Sequence, residues 1–214
     1  MIIQITKEQY LEVEKLSLGV FKPLETFMNE ADFLSCLETM RLSNGQIFPI
    51  PIVFDINRKQ ANEFERSSNI GLFFEGKHVA DMKPESIYEP DKDKAIKEVF
   101  GTDNMKHPGV SYFKSLNDYF ITGDIELHER PLFPFSQYEL TPEDSKKKII
   151  SLGWKTIAGF QTRNIPHRAH EYLQKVALEH VDGLMIQPIV GYKKKGDFTP
   201  EAVTRSYEVL INQF

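Results

Sequence analysis

Apolar residues recur at helical spacing over residues 6–16, and Thr6 followed by Gln9 supplies a capping pattern, so the first predicted element is a helix. Residues 29–39 repeat the spacing with Asn29 as cap. Residues 46–56 are rich in Ile, Phe and Val and read as a strand, which Pro49 and Pro51 assign to a sheet edge or a bulge. The runs 70–74 and 78–82 flank Glu75-Gly76-Lys77, a hairpin signal in which Gly76 can take positive φ. Residues 119–126 read as a further strand, broken at Gly123-Asp124. Short strands, two or three helices and no βαβ rhythm predict a small, barrel-like α+β unit.

The pattern then changes. Residues 127–141 contain Pro131 and Pro134, show little periodicity and read as a linker. Thr141-Pro142-Glu143-Asp144 opens a helix, with a capping hydroxyl, proline at the first position and acids in the first turn. A strand over 154–160, a helix over 168–180, a strand over 183–190 and a helix from about Thr199 complete a β-α-β-α series. That order is the start of a parallel sheet with right-handed crossovers. The expected domains are 1–140, α+β, and 141–214, α/β. Two strands are fewer than a doubly wound sheet needs to cover both its faces. The second domain therefore reads as the beginning of a larger one.

Composition narrows the function classes. The 214 residues carry 26 basic and 31 acidic side chains, a balance that argues against a general nucleic-acid binder. The single cysteine, Cys36, excludes an internal disulfide and a multi-thiolate metal site, and its apolar helical context predicts a buried, inert thiol. No basic stretch leads into an apolar run at the N-terminus, and no segment approaches the ~20 apolar residues of a membrane span. A cytoplasmic setting is expected.

The densest chemistry lies in Gln161-Thr162-Arg163-Asn164-Ile165-Pro166-His167-Arg168-Ala169-His170-Glu171, where a strand hands over to a helix. A helix N-terminus offers unpaired N–H groups and about half a positive charge. Basic side chains at the same end make it a receptor for phosphate or another oxyanion. His167 and His170, three apart, share one face of the first turn. HxxH supplies two metal ligands at most, and the sequence places no third beside it, so no metal site is assigned there. For Arg163 taken alone, a structural ion-pair partner is the commoner role. His107 in His107-Pro108-Gly109 reads as a turn residue, and Trp154 and Phe160 as core.

That line closely resembles the signature of the ATP-sulfurylase (sulfate adenylyltransferase) family. The resemblance extends to Phe21-Lys22-Pro23-Leu24-Glu25-Thr26-Phe27-Met28, Met40-Arg41-Leu42, Pro49-Ile50-Pro51-Ile52, His107-Pro108-Gly109-Val110, Val181-Asp182-Gly183-Leu184 and residues 191–197, in the expected order. It implies a PUA-like barrel domain followed by the start of a Rossmann-like nucleotidyltransferase domain. The implied reaction joins sulfate to the α-phosphorus of ATP, giving adenosine 5′-phosphosulfate and pyrophosphate. By the same resemblance Gln161 and Arg163 contact sulfate. Gln161, Asn164, His167, His170 and Lys194 contact ATP, and Thr162, Arg163, Asn164, His167 and His170 form the catalytic set. Mg2+ would arrive with ATP or pyrophosphate, with no tightly bound cofactor, and a homo-oligomer is possible.

Three positions depart from the family pattern. The proline of Asn-Pro-x-His stands one place later, in Asn164-Ile165-Pro166-His167, and a proline restricts both itself and its predecessor. Gln187 stands before Pro188 where His is common, and the downstream Gly-Arg-Asp-His-Ala-Gly loop does not occur in these residues. These departures favour the alternative reading, a truncated, non-catalytic homologue acting as a binding or regulatory subunit. RNA binding by the first domain would rest on fold analogy alone.

Overall fold

The computed structural model describes residues 1–64, 66–191 and 196–213. They form two compact units, Met1–Leu132 and Phe133–Phe214.

The first unit is built on a five-stranded mixed sheet. Its strands are β1 (Ile2–Gln4), β2 (Phe54–Ile56), β3 (Ile70–Phe74), β4 (Lys77–Tyr88) and β5 (Tyr119–Leu127), in the order β1-β3-β4-β5-β2. β1 runs parallel to β3, and the other pairs are antiparallel. Helices α1 (Lys7–Ser17), α2 (Glu30–Thr39), α3 (Arg58–Phe64), α4 (Lys92–Phe100) and α5 (Pro108–Ser115) accompany it, more than periodicity predicts.

Thr6 and Gln9 form the expected capping box at α1, and the Asn29 side chain accepts the Asp32 N–H at α2. His107, read as a turn residue, is the N-cap of α5, with Pro108 at its first position. The core is aromatic: Phe27 stacks at a tilt on Phe54 (5.1 Å), and Phe33 and Tyr88 meet Phe120 edge-on at 5.7 and 5.8 Å.

Two strand readings are corrected. Residues 46–53 are not regular strand: Ile47 makes a single antiparallel bridge to Arg41, and Phe54–Ile56 alone joins the sheet, at its edge, because the prolines remove ladder donors. β5 runs unbroken through Gly123-Asp124. Gly123 lies opposite Pro84, where the register of β4 shifts, and a Cβ there would stand 2.1 Å from the Lys83 carbonyl oxygen. The glycine permits close approach to a bulge; it does not end the strand.

Cys36 is buried, with its thiol 3.2 Å from the Phe48 carbonyl oxygen. Burial first, and then the Asp32 charge, push the thiol up to about 11. At pH 8 the native chain is expected to resist iodoacetamide and to react once unfolded in urea, as mass spectrometry would read; rapid native labelling would contradict the burial.

The second unit holds a 3-10 turn (Ser136–Tyr138), then α6 (Pro142–Ser151), β6 (Ile157–Thr162), α7 (Arg168–Leu178), β7 (Gly183–Pro188) and α8 (Pro200–Gln213). The expected rhythm is present, and β6 and β7 pair in parallel from Ile157↔Gly183 to Thr162↔Pro188. β6 starts later than predicted. Trp154 precedes it, half-buried, with its ring so close to Gly183 that a Cβ there would stand 2.0 Å away. Val203 and Tyr207 of α8 are buried, whereas Ile150, Tyr172, Leu173 and Ile211 are exposed.

Asp182 ties the strand starts together. Its Oδ2 accepts the Lys155 and Thr156 N–H groups (2.8 Å each) and the Thr156 hydroxyl (3.0 Å). The Thr156 and Lys155 backbone hydrogen bonds, then the Thr156 hydroxyl, hold this carboxyl below its ordinary value. A lowered carboxylate stabilises fully above its unfolded pKa and ceases to do so as pH falls through the folded one. Below about pH 4 the second unit is therefore expected to lose stability, and Asp182→Asn to flatten that dependence; an identical acid profile in the variant would contradict this.

Candidate functional site

The site begins where β6 ends. In the parallel register Gln161 faces Gln187 and Thr162 faces Pro188, and the Ile189 N–H extends the pairing to the Thr162 carbonyl (2.8 Å). Thr162 is buried, and its hydroxyl accepts the Asn164 N–H at 3.1 Å, turning the chain out of the strand. Pro166 cannot donate and precedes the helix. His167 then caps α7 with its own ring, Nδ1 accepting the Ala169 N–H at 3.2 Å. An accepting Nδ1 puts the neutral ring's proton on Nε2, where it can be donated outward.

His170 stacks on His167 with ring centres 3.8 Å apart, and meets the Phe160 ring edge-on at 5.6 Å. Its Nδ1 is buried and has no hydrogen-bond partner among the described residues. Arg163 is half-buried and pairs with Asp197 at 2.6 Å, so the ion-pair reading of Arg163 is realised in this chain. The pair leaves 38 % of the arginine side chain accessible. Behind the junction, burial raises the Tyr207 hydroxyl, while Thr162 and Gln174 act in the opposite direction.

Gln161, Thr162, Arg163, Asn164, His167 and His170 thus come together in one strand-to-helix junction at the carboxyl end of β6. Lys194, with Lys193 and Lys195, lies outside the described residues. Gln161, Asn164 and His167 are exposed. A cleft of about 220 Å³ opens beside His167, lined also by Arg168, Glu171 and Ser206 but not by Gln161, Arg163, Asn164 or His170. A larger cleft of about 470 Å³ lies on the β7 side, lined by Gln187, Pro188 and Tyr207, and none of the residues from Gln161 to His170 lines it. Sequence spacing gave no sign of Asp197, which reaches Arg163 from 34 positions away.

Two adjacent imidazoles, a guanidinium and the first-turn N–H groups of α7 form a set of donors and positive charge suited to oxyanions. Residues 1–130 match the family model described as a PUA-like domain, and residues 136–214 the one described as ATP-sulfurylase. Over most of its length the chain belongs to the PUA-like domain family, and its remaining part is similar to ATP-sulfurylase. Relatives named sulfate adenylyltransferase include those of Aeropyrum pernix (42% identical, 99% of this chain, 56% of the relative), Hyperthermus butylicus (40%, 99% and 54%) and Pyrococcus abyssi (40%, 99% and 55%). The chain spans about half the length of these curated relatives.

Among solved structures, the hexameric APS kinase from Thiobacillus denitrificans superposes with a TM-score of 0.72 at 21% identity, covering 100% of this chain and 39% of that one. At that identity the likeness speaks to fold alone. The mixed sheet is the PUA-like domain, and the α/β unit that resembles ATP-sulfurylase carries the histidine pair. No described helix is long and apolar enough to cross a membrane.

Proposed function

We propose that this chain supports adenylyl transfer between ATP and sulfate, forming adenosine 5′-phosphosulfate and pyrophosphate. The observation that carries the reading is the stacked His167 and His170 rings at the start of α7, in the same strand-to-helix junction as Arg163. Sulfate attacks the α-phosphorus in line. A sulfate oxygen bonds to phosphorus as the bridge to the β-phosphate breaks, and the electron pair leaves with pyrophosphate. No protein nucleophile is needed.

The residues' work is positioning and electrostatics. Arg163 grips the tetrahedral oxyanion with parallel N–H donors while Gln161 donates beside it. His167 and His170 face the ATP phosphates and steady the charge that grows on the leaving oxygen. Asn164 donates to the phosphates, Thr162 shapes the turn that aims Asn164, and Lys194 is assigned to ATP. Mg2+ enters with the nucleotide, which fits a junction whose donors are imidazole, amide and guanidinium, not a cage of carboxylates. A cytoplasmic setting, in which Cys36 stays a thiol, and assembly of several copies belong to the same reading. The latter is supported by the exposed Tyr172, Leu173 and Ile211 and by a structural neighbour that is itself named as hexameric.

The test is ATP formation from adenosine 5′-phosphosulfate, pyrophosphate and Mg2+, followed by luminescence. Turnover above that of the His167→Ala, His170→Ala double variant is expected. Ligand binding with no turnover would make the chain a binding module, and neither binding nor turnover would refute the reading.

A further inference from the structure

We propose that His78, Asp81 and His128 of the PUA-like unit form a binding site for a divalent transition ion of the zinc class. In a regular strand, residues three apart point to opposite faces. β4 is not regular here. Phe73 pairs with His78 but Leu72 pairs with Ala80, so Val79 is an extra residue, and Val79 and Ala80 are both buried in succession. The bulge turns His78 onto the face that carries Asp81. His128 lies two positions beyond Glu126, the register partner of Asp81, and so shares that face. The Val79 carbonyl fixes it there by accepting the His128 and Glu129 N–H groups at 2.8 and 3.3 Å.

The result is a trio with one carboxylate between two imidazoles. Nε2 of His78 stands 2.9 Å from Oδ1 of Asp81, and Nε2 of His128 stands 2.9 Å from Oδ2. All three ligand atoms lie within 4.8 Å of one another. Packing holds the rings. His78 stacks on Phe73 at 4.8 Å and 9°, and meets His128 edge-on at 5.0 Å. Gly71, opposite Asp81, leaves the floor low; an added Cβ would come within 3.5 Å of the His78 ring. The trio is partly open to solvent, which gives an ion a way in.

Zinc takes imidazole nitrogens and carboxylate oxygens at about 2.0–2.2 Å, often three from protein with a fourth position for water. Small ring rotations bring these donors to that spacing. In the ion-free trio the Nε2 protons sit between ring and carboxylate, so loading must move them to Nδ1 or release them, and uptake should weaken in acid.

The experiment uses tag-free chain carrying His167→Ala and His170→Ala, which removes the other histidine pair as a competing zinc ligand. Titration calorimetry with Zn2+ should give one saturable site, and Co2+ should give a visible absorption band. His78→Ala and His128→Ala should each weaken Zn2+ at least ~10-fold and abolish the band, and Mg2+ should give no saturable heat. Thermal melts confirm folding; if an alanine variant does not fold, Asp81→Asn and the Co2+ band carry the same comparison. Absence of saturable Zn2+ uptake, or uptake unchanged by these substitutions, would leave the trio as a hydrogen-bonded cluster and overturn the proposal.

Discussion

Gly123→Ala is expected to destabilise the PUA-like unit by about 3 kcal/mol or more, the range of overpacking against atoms that cannot yield. The added methyl would stand 2.1 Å from the Lys83 carbonyl oxygen and 2.9 Å from the Pro84 Cα, both backbone atoms of the central strand β4. Relief requires β4 and β5 to separate where their register already shifts between Pro84 and Ser86. The melting midpoint should fall by roughly 10 °C for a unit of this size. Gly76→Ala provides the contrast. Gly76 has φ of +80° and nothing within 4 Å of its added Cβ, so that change should cost only about 1–2 kcal/mol of backbone strain. Circular dichroism melts of the two variants separate these causes, and a Gly123→Ala loss no larger than that of Gly76→Ala would contradict the described strand pairing.

Arg163→Ala should weaken binding of adenosine 5′-phosphosulfate by about 10- to 150-fold, corresponding to ~1.5–3 kcal/mol for hydrogen bonds to a charged group. The arginine is held by Asp197 before any ligand arrives, so its ordering entropy is largely spent in folding. An oxyanion then meets a guanidinium already aimed. Arg163→Lys should recover only part of the loss, because an ammonium keeps the charge but not the planar fork. Equilibrium dialysis against labelled nucleotide reads all three proteins, and equal affinities would mean that the guanidinium serves only its ion pair.

The parts of the fold that read from sequence are those with local causes. The capping box at Thr6, the Asn29 cap, the Thr141-Pro142 helix start and the Glu75-Gly76 turn each act within a few residues. The β-α-β-α rhythm of the second unit is likewise carried by short windows of periodicity.

What did not read depends on partners distant in sequence. β1 is three residues long and exists because it pairs with β3. Gly123 looks like a strand breaker until Pro84 is placed opposite it. α5 carries a Pro-at-first-position signal, but an imidazole is an uncommon cap, and His107-Pro108-Gly109 equally suits a turn. The same division holds for chemistry. The junction from Gln161 to His170 is contiguous in sequence, so its residue types announced it. Asp197 closes on Arg163 through folding of the chain, and His78, Asp81 and His128 meet only through a bulge and a strand register.

The strand-to-helix junction of the second unit is proposed as an adenylyl and oxyanion receptor. Calorimetric titration of the chain with adenosine 5′-phosphosulfate addresses it most directly, with adenosine as the neutral control. One saturable site for the phosphosulfate, lost in the His167→Ala, His170→Ala double variant and absent for adenosine, is the expected result. No saturable heat at millimolar ligand, or heat that survives the double substitution, would contradict it.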